Sequence, residues 1–176
     1  KIRAIEEQIA ALAPAEDAAS SAAAQGTAFP KFEGSDLEGN PVDNSLFAGN
    51  AFTVVNFWFN GCSPCVGELP ALQELHDSLQ EKGGAVVGIN VETLDENEDT
   101  IAAAKEIMKK QGASYQNIYF DSDSEAGKLA LSVMTFPTSV LIDSEGNIVG
   151  DVIVGGLDNE KTMASVQKQI DAILAK

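Results

Sequence analysis

Cysteines stand at positions 62 and 65, and the chain has no others. An apolar run from Thr53 to Phe59 precedes them and reads as a buried strand. A helical pattern follows, with Leu69, Leu72, Leu75 and Leu79 on one face. Strand, Cys-x-x-Cys and helix in that order form the layout of a redox motif. Only a thiolate attacks a disulfide, and a free thiol of pKa ~8.5 is mostly protonated at neutral pH. A helix N-terminus offers unpaired N–H groups and about half a positive charge. Cys62 falls where that end is expected, so its thiolate is favoured. Two intervening residues set Cys65 one turn further on, within reach of a disulfide. Pro64 stiffens the turn and lacks an N–H that the first helical turn does not need.

Other uses of two cysteines fit less well. Zinc usually takes four ligands, and the chain offers two Cys and one His, His76. No metal is therefore expected. A purely structural disulfide here would close a tiny loop and gain little chain entropy.

Asn56-Phe57-Trp58, Cys62-Ser63-Pro64-Cys65, Glu68 and Pro70, with Thr135-Phe136-Pro137-Thr138 downstream, resemble the TlpA/ResA-like thioredoxins over roughly residues 27 to 176. The resemblance implies an α/β, thioredoxin-like fold with an N-terminal β-hairpin and a central helix–strand insertion. It implies an extracytoplasmic thiol–disulfide oxidoreductase with Cys62 and Cys65 as catalytic pair, Glu68 handling protons beside them, and no cofactor beyond their disulfide. Pro137 is then cis and faces the pair, with Thr135 and Phe136 presenting backbone to a substrate. Asn56, Trp58, Ser63 and Pro64 support the site. Asn56 stands where classical thioredoxins usually carry a buried Asp that serves proton transfer, which leaves Glu68 as the nearest acid in sequence. The chain departs from the family at Gly61, where many members carry a bulky residue. Implied partners are a protein disulfide, such as apocytochrome c or a methionine sulfoxide reductase, and a membrane thiol transporter as reductant.

With 44% apolar residues the chain can bury a core, and its length fits one domain plus an appendage. No eighteen-residue apolar run occurs, so nothing reads as a membrane span. A net charge of −16 argues against nucleic acid and against anionic lipid as partners. The first residue is Lys1, so a signal peptide or lipoprotein anchor is expected upstream, holding the domain to the cell membrane. Ile2, Ile5, Ile9 and Leu12 form one face of a short helix ending before Pro14. The Ala/Ser-rich stretch to residue 28 reads as a linker. Residues 1–26 are thus a tether and 27–176 the domain, expected to be a monomer.

Within the domain, Phe32, Leu37 and the Glu38-Gly39-Asn40-Pro41 turn suggest the hairpin, with Leu46 and Phe47 packed on it. Pro70 is expected to kink the motif helix, which runs to about Gln80 with His76 on its solvated side. Ala85 to Val91 is a parallel strand. A helix from Ile101 to Lys110 and a strand from Ile118 to Phe120 form the insertion, a helix spans Ser124 to Val133, and strands Ser139–Ile142 and Asn147–Val154 make a hairpin. Asp158 is the expected cap of a last helix that buries Met163, Val166, Ile170 and Ile173/Leu174. Two other functions fit the residues less well. A peroxiredoxin-like peroxidase places Thr three residues before its reactive Cys, where this chain has Phe59, and no Arg lies nearby. A non-catalytic binding module would not need Cys62, Cys65, Glu68 and Pro137 together.

Overall fold

The computed structural model describes residues 26–175. Its centre is β3, Phe52–Trp58, a strand with every residue buried. It lies one residue earlier than the apolar run suggested. Burial on both faces requires neighbours on both edges and a layer on each side. The motif helix α2 (Ser63–Gln80) returns the chain to β4 (Gly84–Asn90), which pairs with β3 in parallel. On the other edge β6 (Thr138–Asp143) pairs antiparallel with β3, and β7 (Ile148–Val154) pairs antiparallel with β6.

The hairpin forms as β1 (Glu33–Asp36) and β2 (Pro41–Asp43). Its turn closes on Asp36, whose Oδ1 accepts from the N–H groups of Glu38 and Asn40 at 2.9 and 3.0 Å. The insertion supplies α3 (Glu98–Lys110) and β5 (Asn117–Phe120), and β5 sits between β1 and β4. The seven-stranded order is β2-β1-β5-β4-β3-β6-β7. This is the expected thioredoxin-like architecture, with the hairpin lengthening the sheet at its far edge.

Alternation along β3 divides the core, because successive side chains face opposite ways. Phe52, Val54 and Trp58 join the α2 leucines and Val166 and Ile170 of α5 (Glu160–Leu174). Val55 and Phe57 join Ala126, Leu129 and Ala130 of α4 (Glu125–Ser132). Phe47, in the single turn α1 (Ser45–Ala48), lies in that second layer against Phe29 and Phe32, with ring centroids 5.4 and 6.2 Å away.

Pro70 lies inside α2, which runs to Gln80 as expected. Other local readings are corrected. His76 is half-buried rather than on the solvated face, because β5 is too short to cover the start of β4; the Val86 N–H donates to His76 Nδ1 instead, at 3.1 Å. Burial holds the imidazole below its ordinary pKa. The last helix is capped by Asn159, whose side chain accepts from the N–H groups of Lys161 and Thr162, and not by Asp158. Leu174 is exposed at that helix's final turn. Residues 26–28 are not free linker. The N–H of Gly26 donates to the Ile148 carbonyl at 2.7 Å, and Ala28 bridges Asn147. The stripe Ile2/Ile5/Ile9/Leu12 and the linker before Gly26 lie outside the described residues. No described helix is long and apolar enough to cross a membrane.

Candidate active site

Where β3 ends, three residues deliver Cys62 to the start of α2. That loop is braced by the segment after β4. The Asn60 N–H donates to Glu92 Oε2 at 2.8 Å, Asn60 Oδ1 accepts from the Asn90 amide at 2.8 Å, and the Asn60 amide donates to the Thr100 carbonyl at 3.1 Å. Cys62 is the N-cap, extended at φ −88° and ψ 98°, and its Sγ accepts from the Cys65 N–H at 3.3 Å. The helix end therefore points at the sulfur, as a thiolate requires. Cys62 and Cys65 form a disulfide with Cα atoms 5.2 Å apart. Cys62 keeps 5% of its surface and Cys65 none, so Cys62 is the less deeply buried of the two.

One turn beyond Cys65, Glu68 points into the core with 0% exposure. Its Oε1 accepts from the Asn56 amide at 3.0 Å and its Oε2 from the Leu157 N–H. The same Asn56 amide nitrogen donates to Ser139 Oγ at 3.0 Å. The acid that the β3 position lacks is thus supplied by α2 and held by the amide standing in its place. Burial raises the Glu68 carboxyl from 4.5 to about 7, against the lowering by the Leu157 and Asn56 donors; the charge of Asp158 adds to the rise. A carboxyl titrating near neutrality can both take and return a proton there.

The third part comes from the other side of β3. Thr138 pairs with Phe57, which brings the preceding turn to the end of β3 where the cysteine loop starts. The Phe136–Pro137 bond is cis. The Pro137 carbonyl accepts from the Gly155 N–H at 2.9 Å. Phe136 packs against the cluster that holds both cysteines and meets Phe59 edge-on, centroids 5.1 Å apart. Thr135 is exposed, as are Met134, Ser63 and Pro64. Trp58 is buried and its indole N–H donates to Asn117 Oδ1 at 2.8 Å.

The structure thus gathers Cys62, Cys65, Glu68, Asn56, Phe136 and Pro137 at one end of the sheet. Ser139, Leu157 and the Asn60 brace were not singled out from sequence. Ser139 faces Asn56 through the β3–β6 register, which no local pattern displays. Among the described residues no group of three or more His, Cys, Asp or Glu could hold a metal ion.

A disulfide on a helix end, with a buried acid behind it and a cis-proline turn alongside, is the arrangement of a thiol–disulfide oxidoreductase on a thioredoxin-like fold. The chain belongs to the AhpC/TSA family, which matches residues 25–150. It is similar to a thiol-disulfide oxidoreductase ResA of Bacillus thuringiensis, 29% identical over 123 residues, or 70% of this chain and 66% of that protein. The ResA of Geobacillus thermodenitrificans is 30% identical over 139 residues, 79% of this chain and 74% of the relative. Among solved structures, the thioredoxin domain of a thiol-disulfide oxidoreductase from Bacteroides vulgatus aligns with TM-score 0.64 and 28% identity, covering 82% of this chain and 96% of that one. Within the family, the Cys-x-x-Cys spacing and Phe59 at the third position before Cys62 set this site apart from the peroxidase pattern. The chain's one arginine, Arg3, lies outside the described residues.

Proposed function

We propose that this protein reduces disulfides in other proteins outside the cytoplasm. In the reduced state the Cys62 thiolate attacks one sulfur of the partner's disulfide. A mixed disulfide forms and the first partner thiolate leaves. Cys65 then gives its proton to the Glu68 carboxylate and attacks the Cys62 sulfur. The mixed disulfide breaks, the second partner sulfur leaves and takes up a proton, and two electrons have passed from the cysteine pair to the partner. Thr135, Phe136 and Pro137 supply the surface against which the partner segment lies. By resemblance, the substrates are apocytochrome c or a methionine sulfoxide reductase, and a membrane thiol transporter re-reduces the pair. Residues 1–26 act as a tether, with an anchor upstream, and 27–176 as the working domain.

The observation that carries this reading is a disulfide at the start of α2 whose two residues are unequally buried, Cys62 keeping 5% of its surface and Cys65 none. The test is stoichiometric reduction of a protein disulfide by the pre-reduced protein. One substrate disulfide should be lost for each Cys62–Cys65 disulfide formed. A reduced protein that consumes peroxide but leaves protein disulfides intact would exclude the proposal.

A further inference from the structure

Phe59, Asn60 and Gly61 lie between β3 and Cys62, and the Cys62 N–H donates back to the Phe59 carbonyl at 3.1 Å. Asn60 and Gly61 are therefore the two central residues of a β-turn. Gly61 is exposed, and a Cβ there would meet only the Phe59 ring, at 3.6 Å. Asn60 anchors the turn in three directions. Its backbone N–H is bonded to Glu92, its side-chain oxygen to Asn90 and its side-chain nitrogen to Thr100. Those partners sit at the last residue of β4, two residues beyond it, and in the first turn of α3.

The partners are themselves fixed. Asn90 is fully buried, and its Oδ1 accepts from the Glu92 N–H at 2.9 Å. The Thr93 hydroxyl donates to the Asn90 carbonyl at 2.7 Å, and the Thr100 hydroxyl to the Glu92 carbonyl at 2.7 Å. A plain connection does not need such a bracket, because the first central position of a common turn accepts most residues. What the bracket fixes is the residue two places on. Cys62 is held extended at φ −88° and ψ 98°, and only so does its sulfur receive the Cys65 N–H at 3.3 Å. In the oxidised protein the Cys62–Cys65 bond also holds that sulfur. In the reduced protein no covalent bond does, and a thiolate that leaves the helix end loses the N–H and the dipole that favour it.

We infer that Asn60 is a positioning residue for Cys62: its bonds to Asn90, Glu92 and Thr100 keep the reduced sulfur on the N-terminus of α2. The consequence for disulfide exchange rests on the function proposed above; the effect on the Cys62 thiolate does not.

Asn60→Ala removes the side-chain bonds to Asn90 and Thr100. It is tested in the Cys65→Ser protein, where Cys62 is the only thiol. Thiolate absorbance followed against pH should move about one unit to higher pH. Below both midpoints the thiolate fraction then falls about tenfold. A more basic thiolate is also more nucleophilic, with a Brønsted slope of about 0.4–0.5, so attack on oxidised glutathione should slow roughly three- to fourfold. With both cysteines present, Asn60→Ala should lower the melting temperature of the reduced protein more than that of the oxidised one, whose disulfide still holds the sulfur. An unmoved thiolate midpoint, with equal losses of stability in the two redox forms, would overturn the proposal and leave Asn60 as a structural brace alone. Should Asn60→Ala not fold, Glu92→Gln and Glu92→Ala decide. Both remove the same charge from an exposed side chain, and only glutamine keeps an acceptor for the Asn60 N–H. The Cys62 midpoint should then lie higher in Glu92→Ala than in Glu92→Gln, and equal midpoints would overturn the proposal. A wild type that reduces no protein disulfide would end the functional reading while leaving the thiolate result standing.

Discussion

Replacing Glu68 with Gln should make the oxidised protein more stable at high pH and change it little at low pH. The reason is the burial of a carboxyl whose pKa rises from 4.5 to about 7. Below pH 4.5 both folded and unfolded chains hold the proton. Between 4.5 and 7 the unfolded chain has lost it and the folded one has not, so ionisation works against the fold. A raised pKa therefore contributes stability at low pH that disappears as pH climbs through 7. At about 1.4 kcal/mol per unit the wild type loses about 3 kcal/mol across that window. Glutamine does not titrate. Its amide can present oxygen to the Leu157 N–H and nitrogen to Asn56, whose unpartnered Oδ1 can turn to accept it. Denaturant melts of both proteins, run from pH 4 to pH 8 with the disulfide intact, should show the difference in stability growing between 4.5 and 7 and then levelling. The gap at pH 8 should be about 3 kcal/mol, or roughly 6–12 °C in Tm. Taking the difference removes the pH dependence of the rest of this acidic surface. A gap that stays flat across the range would mean that Glu68 titrates as an ordinary carboxyl, and the proton role built on its burial would fail.

Asn56→Asp should act in the opposite sense. It replaces a donor 3.0 Å from Glu68 Oε1 with a second carboxylate, so the two must share a proton and one titrates well above 7. Stability at pH 8 should fall by roughly 3 kcal/mol and recover on acidification, as denaturant melts at both pH values will show. Gly88→Ala should cost roughly 1–3 kcal/mol at any pH. An added Cβ would stand 2.0 Å from Asn117 Oδ1 and force that side chain off the Trp58 indole. Tryptophan fluorescence and calorimetry report both effects.

The sequence was most legible where chemistry and period coincide. The run into Cys62 and the leucines of α2 each name an element by local pattern. Phe136-Pro137 was read through its resemblance. Glu68 was less legible: counting from Cys65 places it one turn along, but that count cannot say whether it faces water or core. Its burial follows from Asn56 and Leu157, which reach it from a strand and a loop far along the chain. His76 was misread for a related reason. Its helical position looks solvated, yet a short β5 exposes a strand N–H that only a side chain from α2 can satisfy. Asn159 displaced Asp158 as cap because both residues suit the role and only backbone direction chooses between them.

The central claim is that Cys62 attacks and Cys65 resolves. Reduced Cys65→Ser protein should be mixed with a disulfide-bonded protein such as insulin, and the adduct digested and sequenced by mass spectrometry. Removal of the resolving sulfur should leave a stable mixed disulfide through Cys62, because of the two cysteines only Cys62 retains exposed surface, 5% against 0% for Cys65. The reciprocal Cys62→Ser protein should form none. A stable adduct on Cys65 in the Cys62→Ser protein, or no adduct on Cys62 in the Cys65→Ser protein, would contradict the account.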